Sequence, residues 1–328
     1  MQIFELRDDL QRRLAAFLWD QWGQMGALAD TPRRDHWAAD PEALLLLSFE
    51  VGREEPRLFD EVLDWLVANE RLISVQRLRN LVRDEADSAL VEAVLGWLGQ
   101  RRRRARLEAR PGSAETADRP QPFFRNLGAP FNDPDPVFLA QGFLKPRLEP
   151  ASNSQPPDLE LPINFAFRLR ALLGIGARAE VIRALLTAQA PWVNVQVLAA
   201  STAYTKRNVQ EALNSLRAAG ALGSSGLGNE QRFDAPRQRW AEFLELSELP
   251  VHVDWPQLFA AYRLIQRWLA DPANGELSDY MFASAARTLA EEVIPDLRFA
   301  GVAIDARGPV DPSYLGAFVE RLLELGPI

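Results

Sequence analysis

Around Lys206 the chain places, within eleven residues, the side chains best suited to recognising another molecule: Tyr204, Thr205, Lys206, Arg207, Gln210 and Asn214. On a helix, positions three and four apart lie side by side, so Lys206, Arg207, Gln210 and Asn214 share one polar face. A guanidinium such as that of Arg207 matches the paired acceptors on the major-groove edge of guanine. The amide of Gln210 or Asn214 matches the donor and acceptor of adenine. Thr205 and Lys206 fall at the start of that helix, where free backbone N–H groups and positive charge favour a phosphate. Further on, Asn229 and Arg232 follow a glycine-rich turn, and Arg232 is suited to a minor groove or a phosphate. Glu211 counts against this chemistry, because an acid repels phosphates. A polar helix face of this kind is also what any solvated helix carries.

The distribution of charge agrees with a polyanion as partner. The 328 residues hold 37 basic and 45 acidic side chains, a net charge of −8. Between Leu161 and Trp240 there are ten basic residues (Arg168, Arg170, Arg178, Arg183, Lys206, Arg207, Arg217, Arg232, Arg237 and Arg239) against four acids, Glu180, Glu211, Glu230 and Asp234. That segment is +6 and the remainder −14, which describes a cationic module on an acidic body.

Hydrophobic periodicity supplies the elements that position these groups. Ile3, Leu6, Leu10, Leu14, Phe17 and Trp22 predict a long first helix. Asp40-Pro41-Glu42 reads as a cap with Pro in the first turn. Stripes at Phe59–Val67 and Leu90–Leu98 follow, the latter ending in the arginine run 101–106, read as a basic helix C-terminus facing the macrodipole. Residues 108–122 and 146–162 are rich in Pro, Ser and charge and mark breaks. Between them the aromatics Phe123, Phe124, Phe131, Phe138 and Phe143 suggest a segment docked on a neighbour. The expected organisation is therefore mainly α, with a helical domain over 1–108, a linker and docked segment over 109–162, a central unit over 163–245, and a C-terminal helical region over 246–328. The tryptophans at 19, 22, 65, 97 and 268 lie on or beside apolar stripes and are expected to pack.

Within the central unit the order is specific. Arg178–Gln189 predicts an amphipathic helix and Asn194 can cap a short second one. Residues 201–205 predict a turn, and Thr205 caps a third helix whose inner face is Val209, Ala212, Leu213 and Leu216. Gly220 stops it, and Ser224–Asn229 then turns toward a return strand at Gln231–Asp234. The residues Val197-Leu-Ala-Ala-Ser-Thr-Ala-Tyr-Thr205, followed by Val209-Gln-Glu-Ala-Leu-Asn-Ser-Leu-Arg-Ala-Ala-Gly-Ala-Leu222 and the glycine turn, resemble the winged helix-turn-helix superfamily of bacterial transcriptional regulators. The resemblance covers about 60 of the 328 residues. It implies a winged helix with a small β wing and sequence-specific binding of duplex DNA. One reading helix spans few base pairs, so a homodimer on two half-sites is the expected form. The competing class is an adaptor whose winged helix docks a partner protein.

Other chemistries find little footing. Cysteine is absent, which removes disulfides, thiolate metal sites and cysteine nucleophiles. The two histidines, His36 and His252, are isolated, and His252-Val-Asp254 lacks a nucleophile. Asn132-Asp-Pro-Asp135-Pro reads as a rigid turn rather than a metal site. Neither lysine follows a glycine, so no Walker loop is formed, and Gly174 follows a helical pattern rather than a strand. The reading calls for no enzyme activity, no cofactor and no metal. With neither a signal nor a run of about 18 apolar residues, it places the protein in the cytoplasm with no membrane partner.

Overall fold

The computed structural model of the protein describes residues 3–27, 36–102, 120–127, 132–188, 190–227, 230–308 and 311–328, and the fold is mainly helical. Five helices open the chain: α1 (Ile3–Gln24), α2 (Pro41–Val51), α3 (Pro56–Asn69), α4 (Val75–Asn80) and α5 (Glu85–Arg102). A small parallel pair, β1 (Gln121–Pro122) and β2 (Phe143–Leu144), brackets α6 (Pro136–Ala140). Next come α7 (Phe165–Leu173), α8 (Ala177–Thr187), β3 (Val193–Asn194), α9 (Val195–Thr202), α10 (Lys206–Ala218), the hairpin β4 (Gly223–Leu227) and β5 (Glu230–Asp234), and α11 (Arg237–Phe243). The chain finishes with α12 (Trp255–Ala270), α13 (Pro272–Gly275), α14 (Asp279–Phe299) and α15 (Tyr314–Leu325).

Two hydrophobic cores organise these elements, and the expected first and last helical regions do not have separate ones. The central core gathers α7 to α11 around Leu169, Ile182, Leu198, Val209, Leu213, Leu216 and Phe233. The larger core joins α1–α5 to α12, α14 and α15, so the regions 1–108 and 246–328 share one interior. The cause lies in α2. Every residue of this helix is buried, including Leu44–Leu47, and a helix apolar all round must be covered on all sides. Helices α1, α3 and α5 cover part of it, and α12 lies against it too. At this seam Trp255 stacks on Phe259 at 4.9 Å, meets Phe17 at 5.6 Å and donates from Nε1 to the Ala38 carbonyl at 2.9 Å.

The segment around β1, α6 and β2 docks as its aromatics predict. Phe123 packs on Phe59 at 4.6 Å, with Phe138 and Phe143 at 5.3 and 5.5 Å from Phe123. Lys145, buried to 2%, points its ammonium at the faces of Phe59, Phe124 and Phe138 and at Asp60, which offset its lost hydration. Asp135 caps α6 through the Val137 N–H, a structural use for the Asn-Asp-Pro-Asp turn. Phe131, Arg103, Arg104 and Arg106 lie outside the described residues. Trp22, Trp65 and Trp97 are fully buried, and Trp19 and Trp268 pack at the edge of the same core.

In the central unit a third strand joins the expected hairpin. β3 pairs antiparallel with β5, giving the order β3-β5-β4. Only two residues long, β3 carries no alternation for a sequence pattern to detect.

Candidate nucleic-acid interface

Helix α10 forms where its caps direct. Thr205 accepts the Asn208 N–H at its hydroxyl oxygen, 3.2 Å away, and Gly220, at φ +69°, reverses the chain after the last turn. Val209, Ala212, Leu213 and Leu216 are buried, so the opposite face is left to solvent. Lys206 is exposed there. Arg207, 86% exposed at its side chain, reaches back to Glu211 at 2.9 Å, and Gln210 donates to Asn214 at 3.2 Å. Surface pairs at i, i+4 contribute only about 0.3–0.5 kcal/mol, so these groups exchange readily for a ligand's. Arg217 is exposed one turn beyond Asn214 and extends the same face. It is one of the ten basic residues of 161–240, and its i+3 spacing from Asn214 is the signal that places it.

Two of the expected site residues stand elsewhere. Tyr204 is buried to 5%, and its hydroxyl meets that of Ser74 at 3.1 Å. It faces α4, not the exposed surface, because Ala203 adopts a left-handed conformation at φ +55° and turns the chain toward the helical body. Burial raises the Tyr204 hydroxyl above its ordinary pKa. Arg232 is half-buried on the central strand β5, with its guanidinium 3.5 Å from the Trp192 ring centroid. That stack, rather than a free wing tip, fixes its position. Asn229 lies outside the described residues.

The turn between α9 and α10 is bound to the helical body. Arg77 donates to the Thr202 carbonyl at 2.7 Å, and Asn80 donates to the Ala203 carbonyl at 2.9 Å. Beneath it six buried charges alternate in a closed ring. Arg77 bridges Asp40 and Glu42, Arg170 bridges Glu42 and Glu180, and Arg183 bridges Glu180 and Asp40. None of the six side chains is more than 4% exposed. Burial opposes charge on the acids, but Arg77 and Arg183 hold Asp40 below the usual carboxylate range, and Arg170 and Arg183 do the same for Glu180. Asp40 caps α2 as its sequence position predicts, accepting the Ala43 N–H; the arginine partners of Asp40 and Glu42 come from residues distant in sequence and have no local signal.

This ring alters the charge arithmetic. Arg170, Arg183 and Glu180 are internal, leaving eight basic residues against three acids in 161–240, a net of +5. The cationic character of the unit thus survives the removal of its buried members. Among the described residues no cluster of three or more His, Asp or Glu side chains is arranged to hold a metal ion, and no helix is long and apolar enough to cross a membrane. Comparison of the chain with known protein families, with curated proteins and with solved structures gave no match.

Proposed function

We propose that the 163–245 unit is a winged helix that binds duplex DNA sequence-specifically, and that the protein acts as a transcriptional regulator in homodimeric form. The observation that carries this reading is the outer face of α10, where Lys206, Arg207, Asn214 and Arg217 are exposed and Gln210 half-buried while the turn before them is bonded to the body. A helix is the element that a major groove about 12 Å wide admits. At about 1.5 Å per residue, α10 is long enough to lie along several base pairs. The order helix, short strand, helix, turn, helix, hairpin is that of a winged helix and supports the same assignment. Arg207 and Gln210 read bases; Thr205, Lys206 and Arg217 hold phosphates.

A protein contact has support of its own. Leu159, Leu172 and Phe243, respectively 37%, 46% and 63% exposed, line one cleft beside α7 and α11. In the homodimer this apolar face meets a second copy; in the adaptor reading it meets a different protein. Light scattering coupled to size exclusion separates them, since only the first predicts a dimer of the pure chain that Phe243→Asp dissociates.

Fluorescence anisotropy with duplexes from the upstream region of the gene's own operon, against random duplexes, tests the DNA reading. Neutralising 6–10 phosphates per dimer predicts a loss of about three to five orders of magnitude in affinity between 50 and 200 mM salt. Absence of binding, or binding indifferent to salt, overturns it.

A further inference from the structure

A cavity of about 370 Å³ opens where α9 and β3 face residues 252–254 and the end of α14. Its size lies within the range of small-molecule sites. The outer wall is apolar: Trp192, Val197 and Phe299 line it while remaining 37%, 42% and 44% exposed. Large apolar side chains left in water side by side around a concavity favour an apolar occupant.

The inner end is polar and anionic. Asp254 lines it, is only 4% exposed, and has no hydrogen-bond donor to its Oδ1 among the described residues. A carboxylate oxygen shielded from water and left without a donor is unfavourable, and the bonds that Asp254 receives from the Ser201 hydroxyl and the Gln257 N–H only partly offset its burial. Asp254 stands at the N-cap of α12. His252, whose Nε2 lies 4.0 Å from Asp254 Oδ2, shares its Nδ1 with the Thr187 hydroxyl at 3.1 Å. Burial and the charge of Arg183 lower the His252 pKa to about 4, so it is neutral near pH 7. Arg183 is itself engaged by Glu180 and Asp40. Burial pushes Asp254 up to about 6, against the pull of the Ser201 hydroxyl, so at neutral pH its carboxylate is still largely ionised. The cavity therefore combines a mouth of apolar side chains, among them the Trp192 ring that Arg232 stacks on, with an anionic floor whose neighbouring cation, Arg183, is engaged by other carboxylates.

We propose that this cavity binds a small organic cation, with an aromatic or aliphatic body against Trp192, Val197 and Phe299 and a protonated amine donating to Oδ1 of Asp254. The amine supplies the donor that Oδ1 lacks and a charge not shared with other carboxylates, while Val197, Phe299 and the Trp192 ring, one face of which carries the Arg232 guanidinium, give the body its apolar contact. An anion is repelled by the same carboxylate, and a neutral alcohol of equal shape offers a donor without charge.

The test uses the full-length chain and three probes of one shape: tryptamine, the neutral tryptophol, and the anion indole-3-propionate. Isothermal titration at pH 7.5 is expected to show saturable tryptamine binding, at least tenfold weaker tryptophol binding, and no propionate binding. Asp254→Asn is expected to weaken tryptamine at least tenfold and remove its advantage over tryptophol. Val197→Trp narrows the mouth while leaving Asp254 in place, and abolishes binding of both; circular dichroism and melting temperature establish that each variant is folded. Equal affinity for the three probes, no binding to the folded wild-type chain, or tryptamine binding unchanged in folded Asp254→Asn and Val197→Trp overturns the proposal.

Discussion

Arg77 donates from Nε to the carbonyl oxygen of Thr202 at 2.7 Å, so a side chain of α4 closes the last turn of α9, 125 residues away. Its two terminal nitrogens meanwhile hold Asp40 and Glu42. One guanidinium thus links the α9–α10 turn, the start of α2 and the helical body. A planar fork with five donors can serve three acceptors at once; an ammonium cannot. The consequence for function is orientation, because α10 cannot pivot about its N-terminus without breaking bonds to a buried group.

Arg77→Met is expected to lower stability by about 3–5 kcal/mol, since it leaves Asp40 and Glu42 buried with reduced compensation. Arg77→Lys recovers only part of this loss, as one point charge cannot reach Asp40, Glu42 and Thr202 together. Urea denaturation followed by circular dichroism measures both. A midpoint for Arg77→Met equal to that of the wild type would show that the ring does not hold the two cores together.

Stability should fall in acid, with a sign set by the direction of each shift. Asp40, Glu50, Asp87 and Glu180 are all held below their ordinary values of 3.8 or 4.5, because flanking arginines outweigh burial. The unfolded chain takes up these protons first, so the contribution is complete above about pH 5 and drains away as pH falls through 4. His252 acts in the same sense between 6.5 and about 4, where only the unfolded chain is protonated. Asp254 acts oppositely between about 6 and 3.8, where the folded chain binds the proton first. His252→Gln should therefore flatten the loss of stability between pH 6.5 and 4, and Asp254→Asn should steepen it. Urea midpoints at half-unit intervals of pH measure both slopes; identical slopes in the two variants would contradict the assignment.

What the sequence makes legible follows from the range of the interactions involved. Thr205, Asn194 and Asp40 each cap a helix three residues ahead of the bonded N–H, and Gly220 stops one. These are local effects, written within a few residues. The apolar stripe of α10 is equally local, and its exposed face follows by subtraction. The ring of Asp40, Glu42, Arg77, Arg170, Glu180 and Arg183 was not legible. Arg183 and Asp40 are 143 residues apart, and nothing in their neighbourhoods distinguishes a buried arginine from a solvated one. The joining of α12 to the first core left a trace in Leu44–Leu47, a run with no polar side to turn to water, but the run does not say which helix covers it. Tyr204 was misplaced because one left-handed residue, Ala203, redirects the side chain that follows.

Two glycines separate conformational strain from steric conflict. Gly220 has φ +69° with open space where a Cβ would stand, so Gly220→Ala should cost about 1 kcal/mol through backbone strain alone. Gly26 has φ +95°, and a Cβ there would lie 2.5 Å from the Gln155 carbonyl oxygen, which also accepts from Asn69. Gly26→Ala must displace that backbone, and a loss of at least about 2 kcal/mol is expected. Thermal melts of the two variants decide the ranking, and equal shifts would show that the 150–158 segment yields without resistance.

The face of α10 gives the last and most discriminating expectation. If Lys206 and Arg217 each neutralise a phosphate, Lys206→Ala and Arg217→Ala should each lower the slope of log affinity against log salt by about 0.9 per protomer, almost independently of DNA sequence. Arg207→Ala should instead cost about 1–3 kcal/mol at one base pair. Glu211 ties up Arg207 and repels phosphate, so Glu211→Gln should strengthen binding. Tyr204→Phe serves as the internal contrast: the hydroxyl is bonded to Ser74 inside the molecule, so its removal should cost about 1 kcal/mol of stability and leave affinity and salt slope untouched. Anisotropy titrations at three salt concentrations measure all five variants. A Tyr204→Phe protein that lost DNA affinity while Lys206→Ala kept it would move the contact surface from the outer face of α10 to the turn that precedes it.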